Sequence, residues 1–189
     1  PILIVDDGSN IEFSSNIQNI EIIRNRKNRG KGYSLLKGFK YASSKGYSHA
    51  LTMDADLQHN YIDAANFLNF DASIEFVLGC REKRGEMPIL RRVSNGITSI
   101  ILSYLIGMKI IDSQCGYRRY KLDLVLEKNY LEDGFQFESE VLIKCLSKSS
   151  RVEQIKIETI YDKNNKSYIR HVSDTLKFIR LIIRSIIRK

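Results

Sequence analysis

The stretch LTMDADLQHN, residues 51–60, carries apolar residues into two aspartates one position apart. With His49 and Ala50 before it, HALTMD reads as a short buried strand that ends in Asp54. Ligands in open α/β sheets gather at the carboxyl ends of strands. Alternate residues of an extended segment point to one side, so Asp54 and Asp56 are expected to face a common point. Two carboxylates held close repel unless a cation lies between them. Oxygen donors at this spacing suit Mg2+ or Mn2+, ions that also take phosphate oxygens. The plainer alternative is that the acids cap the turn or helix that follows. The glycine and closing glutamate of an EF-hand are missing, and there is no Walker A lysine motif.

Working outward, the same grammar recurs. ILIV (2–5) is an apolar run that ends in the turn cluster DDGSN, placing Asp6 and Asp7 at a second strand end. IEIIRN (20–25) reads as a strand, and GKGYSLLKGFKYASSKG (30–46) as a helix stopped by Gly46. YIDAANFLNF (61–70) is an expected helix and IEFVLGC (74–80) a strand. Strand alternating with helix predicts an α/β fold, a mostly parallel sheet with helices on both faces. Further on, LRRVSNGITSIILSYLIGM (90–108) is a strongly apolar helix, with an apolar core short of the roughly 20 residues a membrane span needs. DSQCGYRRYK (112–121) reads as a loop entering a strand, DGFQFESEVLIKCLSK (133–148) as a turn and helix, and VEQIKIETIY (152–161) as a strand. Residues 173–189 form a helix with a basic stripe, Lys177, Arg180, Arg184 and Arg188, beside a broad apolar face.

A chain of 189 residues, 43% hydrophobic and 28% charged, suits one soluble domain with a sizeable core. The three cysteines share no CxxC spacing and are expected to be buried free thiols in a reducing compartment. The net charge is +8, and from Lys163 onward eight basic residues face one acid. Such an end attracts a membrane surface, phosphates or nucleic acid. A nucleic-acid partner is not expected, because the charge sits at one end without an aromatic stacking motif. No signal peptide is visible, and the start at Pro1 inside an apolar run suggests a fragment or processed chain.

The order VDDGS (5–9), NRGKG (28–32), DADLQH (54–59), GCR (79–81), DSQCGYR (112–118) and DGFQFESE (133–140) resembles the family 2 glycosyltransferases of the GT-A fold. More narrowly, it is similar to the branch containing dolichyl-phosphate mannose synthase and polyprenyl-phosphate hexose transferases. The resemblance implies roles residue by residue. Asp6 and Asp7 would hold the nucleoside, and Gly30, Lys31 and Gly32 would lie near the nucleotide. Asp54 and Asp56 would bind the metal with help from Gln58. Arg81 would contact the donor. Arg91 and Arg92 would lead toward the acceptor phosphate, or else start a solvated helix. Asp112, Ser113 and Gln114 open a loop that ends at Arg118, a candidate catalytic group. Glu138 or Glu140 stands where many relatives keep a base. Ser167 and Arg170 fit a basic loop over the diphosphate, with Lys163 and Lys166, whereas Tyr168 and His171 depart from the relatives' pattern. Relatives begin with a further strand and a loop that wraps the nucleotide, so this chain is expected to be an N-terminally truncated GT-A domain.

The resemblance implies a catalytic domain over residues 1–172 followed by a basic amphipathic helix over 173–189. The expected reaction moves a hexose from UDP or GDP to a polyprenyl phosphate, with Mg2+ or Mn2+ clamped by Asp54 and Asp56. A phosphate acceptor is already anionic, whereas a hydroxyl acceptor needs a base. The apolar helix over 97–108 and the basic tail suit a bilayer surface, and the expected location is cytoplasmic, peripheral on the inner face of the membrane. The alternatives are a family 2 enzyme acting on a saccharide hydroxyl in cell-surface polysaccharide synthesis, and an inactive truncated remnant.

Overall fold

Strand β1 (Ile2–Asp6) pairs in parallel with β2 (Ile20–Arg24), Ile2 opposite Ile20 and Asp6 opposite Arg24. The computed structural model describes residues 1–11, 14–82, 89–160 and 171–187. The expectations for Lys163, Lys166, Ser167, Tyr168 and Arg170 lie outside the described residues. Helix α1 (Lys31–Ser44) follows β2 and ends as Lys45 N–H turns back to Tyr41 and Ala42 carbonyls. Gly46 then takes φ 84°, the left-handed stop that its type allows.

The second sheet holds β3 (His49–Thr52), β4 (Phe76–Arg81), β5 (Arg118–Lys121) and β6 (Val152–Ile157), in the order β3-β5-β4-β6. β4 and β6 are parallel, while β5 runs against both of its neighbours. Three of the four strands therefore share a direction. Helix α2 (Ala64–Leu68) follows a single 3-10 turn over Tyr61–Asp63, so the helix expected over 61–70 is shorter than its sequence suggested. The Asn60 side chain accepts the Ile62 N–H and starts that turn. Helices α3 (Ile89–Ile106), α4 (Leu122–Leu126), α5 (Phe137–Cys145) and α6 (His171–Ile187) complete the order. Helix α4 is not expected from its residues, because it is too short to show a helical period.

β4 explains the layering. Phe76 and Leu78 point into a core with Phe39 of α1, Leu102 of α3, Val125 of α4 and Val141 of α5. Val77 between them points the other way, to Phe67 of α2, Tyr117 and Ile157. Residues alternate across a strand, so a fully buried run with helices behind both faces is what the apolar run at 74–80 requires. Cys80 and Cys115 are buried free thiols and Cys145 is half-buried. Burial pushes the Cys115 thiol up to about 12. No helix among the described residues is long and apolar enough to cross a membrane.

Candidate active site

The acids at the end of β1 hold their own loop. Asp6 is buried, accepts the Ser9 N–H at 2.9 Å and lies 3.4 Å from Arg24 Nε. Asp7 accepts from Asn25 Nδ2 at 2.8 Å and from the backbone N–H groups of Arg29 and Gly30 at 2.9 and 2.8 Å. It therefore fixes the segment that leads into α1. A cavity of about 500 Å3 opens beside the same segment, lined by Arg24, Arg26, Lys27, Arg29 and Lys37 with Tyr33, and it does not reach Asp54. The run RNRKNRG carried that signal, and sequence reasoning passed over it.

The acids at the end of β3 are arranged otherwise. The strand stops at Thr52 and the chain bends over residues 55–57, with Leu57 at φ 62°. Asp54 and Asp56 are thus not alternate positions of one extended segment, and the expectation that the pleat aims them together does not hold. Asp54 faces inward, with the Lys31 ammonium 2.8 Å from Oδ1 and 3.0 Å from Oδ2. Asp56 is exposed, and its Oδ1 accepts the Gln58 N–H at 3.1 Å. Burial would raise the Asp54 carboxyl, but Lys31 outweighs it and holds the group below the usual carboxylate range. His59 Nε2 lies 4.0 Å from Asp54 Oδ2, and its buried Nδ1 has no hydrogen-bond partner. Burial lowers this imidazole's pKa.

Lys31 also reaches Glu138 of α5, 2.7 Å to Oε2. Glu138 Oε1 is buried with no hydrogen-bond partner. Glu140, the other candidate base, is turned away: it accepts the backbone N–H groups of Leu131 and Glu132 and pairs with Lys144 at 2.6 Å. Two residues along a helix are about 200° apart, so only one of the two acids can face the site. Of the two, Glu138 is the one that faces Lys31 and Asp54.

Glycines make this cluster possible. A Cβ at Gly30 would lie 2.5 Å from the Asp133 carbonyl oxygen, and one at Gly32 would overlap Phe137. A Cβ at Gly116 would lie 2.5 Å from Asp54 Oδ2 and 2.9 Å from Lys31 Nζ. Gly116 was missed; only its place in DSQCGYR hinted at a close approach.

Arg81 forms a two-pronged pair with Asp112, Nε to Oδ2 at 2.8 Å and NH2 to Oδ1 at 3.0 Å, and Asn95 of α3 donates to the same carboxylate. Ser113 accepts from Ser99, and Gln114 donates to Thr98, so α3 carries the whole 112–114 turn. Arg118 is buried and donates to the carbonyls of Cys115, Ser113 and Glu138 at 2.6, 2.7 and 3.3 Å. Its guanidinium is a clamp between the 113–116 loop and α5. Arg91 is half-exposed and Arg92 exposed at the start of α3. Among the described residues no group of three His, Cys, Asp or Glu side chains is arranged around a metal position. Two carboxylates on one loop remain, and the ammonium beside them shows that the place attracts positive charge.

A sequence profile described as Glycosyl transferase family 2 matches residues 1–126. The UDP-N-acetylglucosamine--dolichyl-phosphate N-acetylglucosaminyltransferase of Methanococcus voltae is 29% identical, over 96% of this chain and 84% of that protein. The polyprenol monophosphomannose synthase of Mycolicibacterium smegmatis is 27% identical, over 82% of this chain and 65% of that protein. Among solved structures, glucosyl-3-phosphoglycerate synthase from Mycobacterium tuberculosis, crystallised with Mn2+, UDP-glucose and phosphoglyceric acid, superposes with a TM-score of 0.70. That match covers 97% of this chain and 67% of the other at 14% identity, a likeness of GT-A fold.

Proposed function

The chain belongs to glycosyl transferase family 2, and from that premise we propose that it moves a hexose from a UDP- or GDP-sugar to a polyprenyl phosphate. Helix α3 is the observation that carries this reading. Its inner face, Asn95 and Ser99, holds Asp112 and Ser113 and, through Asp112, Arg81. Its outer face exposes Ile89, Val93, Ile97, Ile100 and Tyr104 at steps of four, four, three and four residues. A helix that supports a polar site on one side and bares an apolar strip on the other suits an acceptor with a charged head and a hydrocarbon tail. Arg91 and Arg92, at the start of α3, are the basic groups this reading assigns to that head. The M. voltae and M. smegmatis relatives, by name, act on such lipids.

Helix α6 carries an exposed apolar face of its own. Leu176, Ile179, Ile183 and Ile186 are exposed beside Lys177 and Arg180, a pattern suited to anionic headgroups. Its other side is docked: Leu181 is buried, Arg184 pairs with Glu132 at 3.0 Å, and Gln136 donates to the Asp174 carbonyl. The basic helix over 173–189 is accordingly read as an arm fixed to a catalytic domain over 1–172. The whole would be peripheral on the inner, cytoplasmic face of a membrane.

Asp54 and Asp56, with Gln58 beside them, fit Mg2+ or Mn2+ by donor chemistry: carboxylate oxygens, at a place that already draws an ammonium. Such an ion, when bound, neutralises charge that builds on the departing diphosphate. Asp7 keeps the 29–30 segment in place for the nucleoside, and Arg118 keeps the 113–116 loop against α5. An acceptor phosphate is anionic near neutral pH and needs no base. Glu138 then serves to hold Lys31 rather than to take a proton. A saccharide hydroxyl as acceptor is the second reading, favoured by the unpartnered Glu138 Oε1.

The test supplies vesicles carrying polyprenyl phosphate, Mn2+ and labelled UDP- and GDP-hexoses. Label is expected in the organic phase. Label confined to water-soluble saccharide would overturn the lipid acceptor in favour of the second reading.

A further inference from the structure

Lys31 enters the site from the first turn of α1 and ties the end of β3 to the start of α5, within 3.0 Å of both Asp54 oxygens and 2.7 Å from Glu138 Oε2. Burial would lower its pKa, and the two carboxylates outweigh burial, so the pKa is well above that of an ordinary lysine. The backbone is shaped for this ammonium. Gly116 leaves room for Asp54 and for Lys31 Nζ, and Gly30 and Gly32 let α1 close on residues 133–137. Of these, the Gly116 approach is the one that leaves room for the Asp54–Lys31 pair itself.

The same Asp54 oxygens are those a divalent ion would need. An ammonium within 3.0 Å of both oxygens competes directly with a metal for that carboxylate. A second cation seated there would meet like-charge repulsion at contact range in a half-buried place.

We propose that Lys31 is a built-in counter-cation that occupies Asp54 while the donor site is empty, and yields Asp54 to the divalent ion that arrives with the nucleoside diphosphate. This rests on the reading of Asp54 and Asp56 as metal ligands. Glu138 is the anchor that keeps the ammonium nearby after the exchange, and the diphosphate oxygens replace the carboxylate it gives up. Metal and nucleotide therefore bind cooperatively, because each supplies what the other needs: one displaces Lys31 and the other rehouses it.

The test is a Mn2+ titration followed by electron paramagnetic resonance, with folding verified by circular dichroism. Wild type is compared with the double variant Lys31→Met/Glu138→Gln, which removes one positive and one negative charge and so leaves net charge unchanged. Without nucleotide, the double variant is expected to bind Mn2+ about tenfold more tightly than wild type. Equal or weaker binding overturns the proposal. Adding UDP or GDP is expected to tighten wild-type Mn2+ binding about tenfold and to close the gap to the variant. If wild type takes up no Mn2+ with either nucleotide, the metal reading itself fails and this inference falls with it. If the double variant does not fold, acylation of wild-type Lys31 by a water-soluble amine reagent, mapped by mass spectrometry, replaces it. Labelling of Lys31 is expected to rise several-fold at saturating Mn2+, and unchanged labelling overturns the proposal.

Discussion

At the end of β1, Asp6 accepts a backbone N–H from Ser9 and Asp7 accepts two more from Arg29 and Gly30; at the end of β3, Asp54 faces an ammonium and Asp56 faces solvent. Both loops are acidic pairs after an apolar strand. The first pair is bound to groups that cannot leave, because backbone N–H groups are fixed by the fold. In the second pair Asp54 faces a side chain that can move, while Asp56 accepts the backbone N–H of Gln58 on its own exposed bend. Carboxylates held by backbone N–H groups shape a loop, and a carboxylate held by a side chain, as Asp54 is by Lys31, can exchange that partner for a ligand. That difference is the ground for proposing a loop-shaping role for Asp6 and Asp7 and cation chemistry at Asp54 and Asp56.

The largest expected effect is at Asp56. Asp56→Asn should lower turnover roughly a hundredfold or more, in line with losing one stabiliser of developing charge. Its unfolding midpoint in urea should stay within about 0.5 kcal/mol of wild type, as for an exposed position. A variant that unfolds early would make Asp56 a scaffold residue and erase the contrast.

Asp112 sharpens the comparison as a third, wholly committed carboxylate. Breaking its buried pair with Arg81 by Asp112→Asn should cost about 3 kcal/mol at pH 7. Burial alone would raise this carboxyl, but Arg81 and Asn95 outweigh it and hold it below the usual range. A lowered folded-state pKa stabilises above the unfolded value near 4 and ceases to do so as pH falls through the folded value. The gap between wild type and Asp112→Asn should therefore be full at pH 7 and shrink toward pH 3 in urea titrations. A gap that widens on acidification would reverse the sign of this account.

Next comes Asp7→Ala, expected to cost about 2 kcal/mol through the two backbone N–H groups and the Asn25 amide it abandons. If it lost turnover like Asp56→Asn while keeping its stability, the two loops would be alike. The smallest effect is expected at Leu57, whose φ of 62° is a left-handed conformation that leucine resists. Leu57→Asn should stabilise by about 1 kcal/mol in the same urea assay, and no gain would show that the exposed side chain offsets the strain.

Much of this was legible in the sequence, for physical reasons that name its limits. The apolar run IEFVLGC reads as a strand, and β4 is one, buried on both faces. The order of the acidic and glycine-rich motifs pointed to the family and its fold. Legibility failed where the outcome depends on a turn between neighbours. Asp54 and Asp56 look equivalent until the chain bends after Thr52. Glu138 and Glu140 look equivalent until the helix turns one of them toward the 131–132 backbone. Arg118 resembles any site arginine until its carbonyl partners, brought in from residues 113, 115 and 138, are seen. Gly116 matters through atoms 62 and 85 positions away in the chain, Asp54 and Lys31, a relation no local pattern reports.

The most direct test of the central claim is a crystal structure of wild type with Mn2+ and the nucleoside diphosphate it binds, with the metal placed by anomalous scattering. The account predicts a peak about 2.2 Å from a carboxylate oxygen of Asp56, bridged to the diphosphate, with Asp54 turned to the metal and Asp6 and Asp7 still on their backbone partners. A metal peak at the Asp6–Asp7 loop, or a diphosphate held with no peak at Asp54 and Asp56, would contradict it.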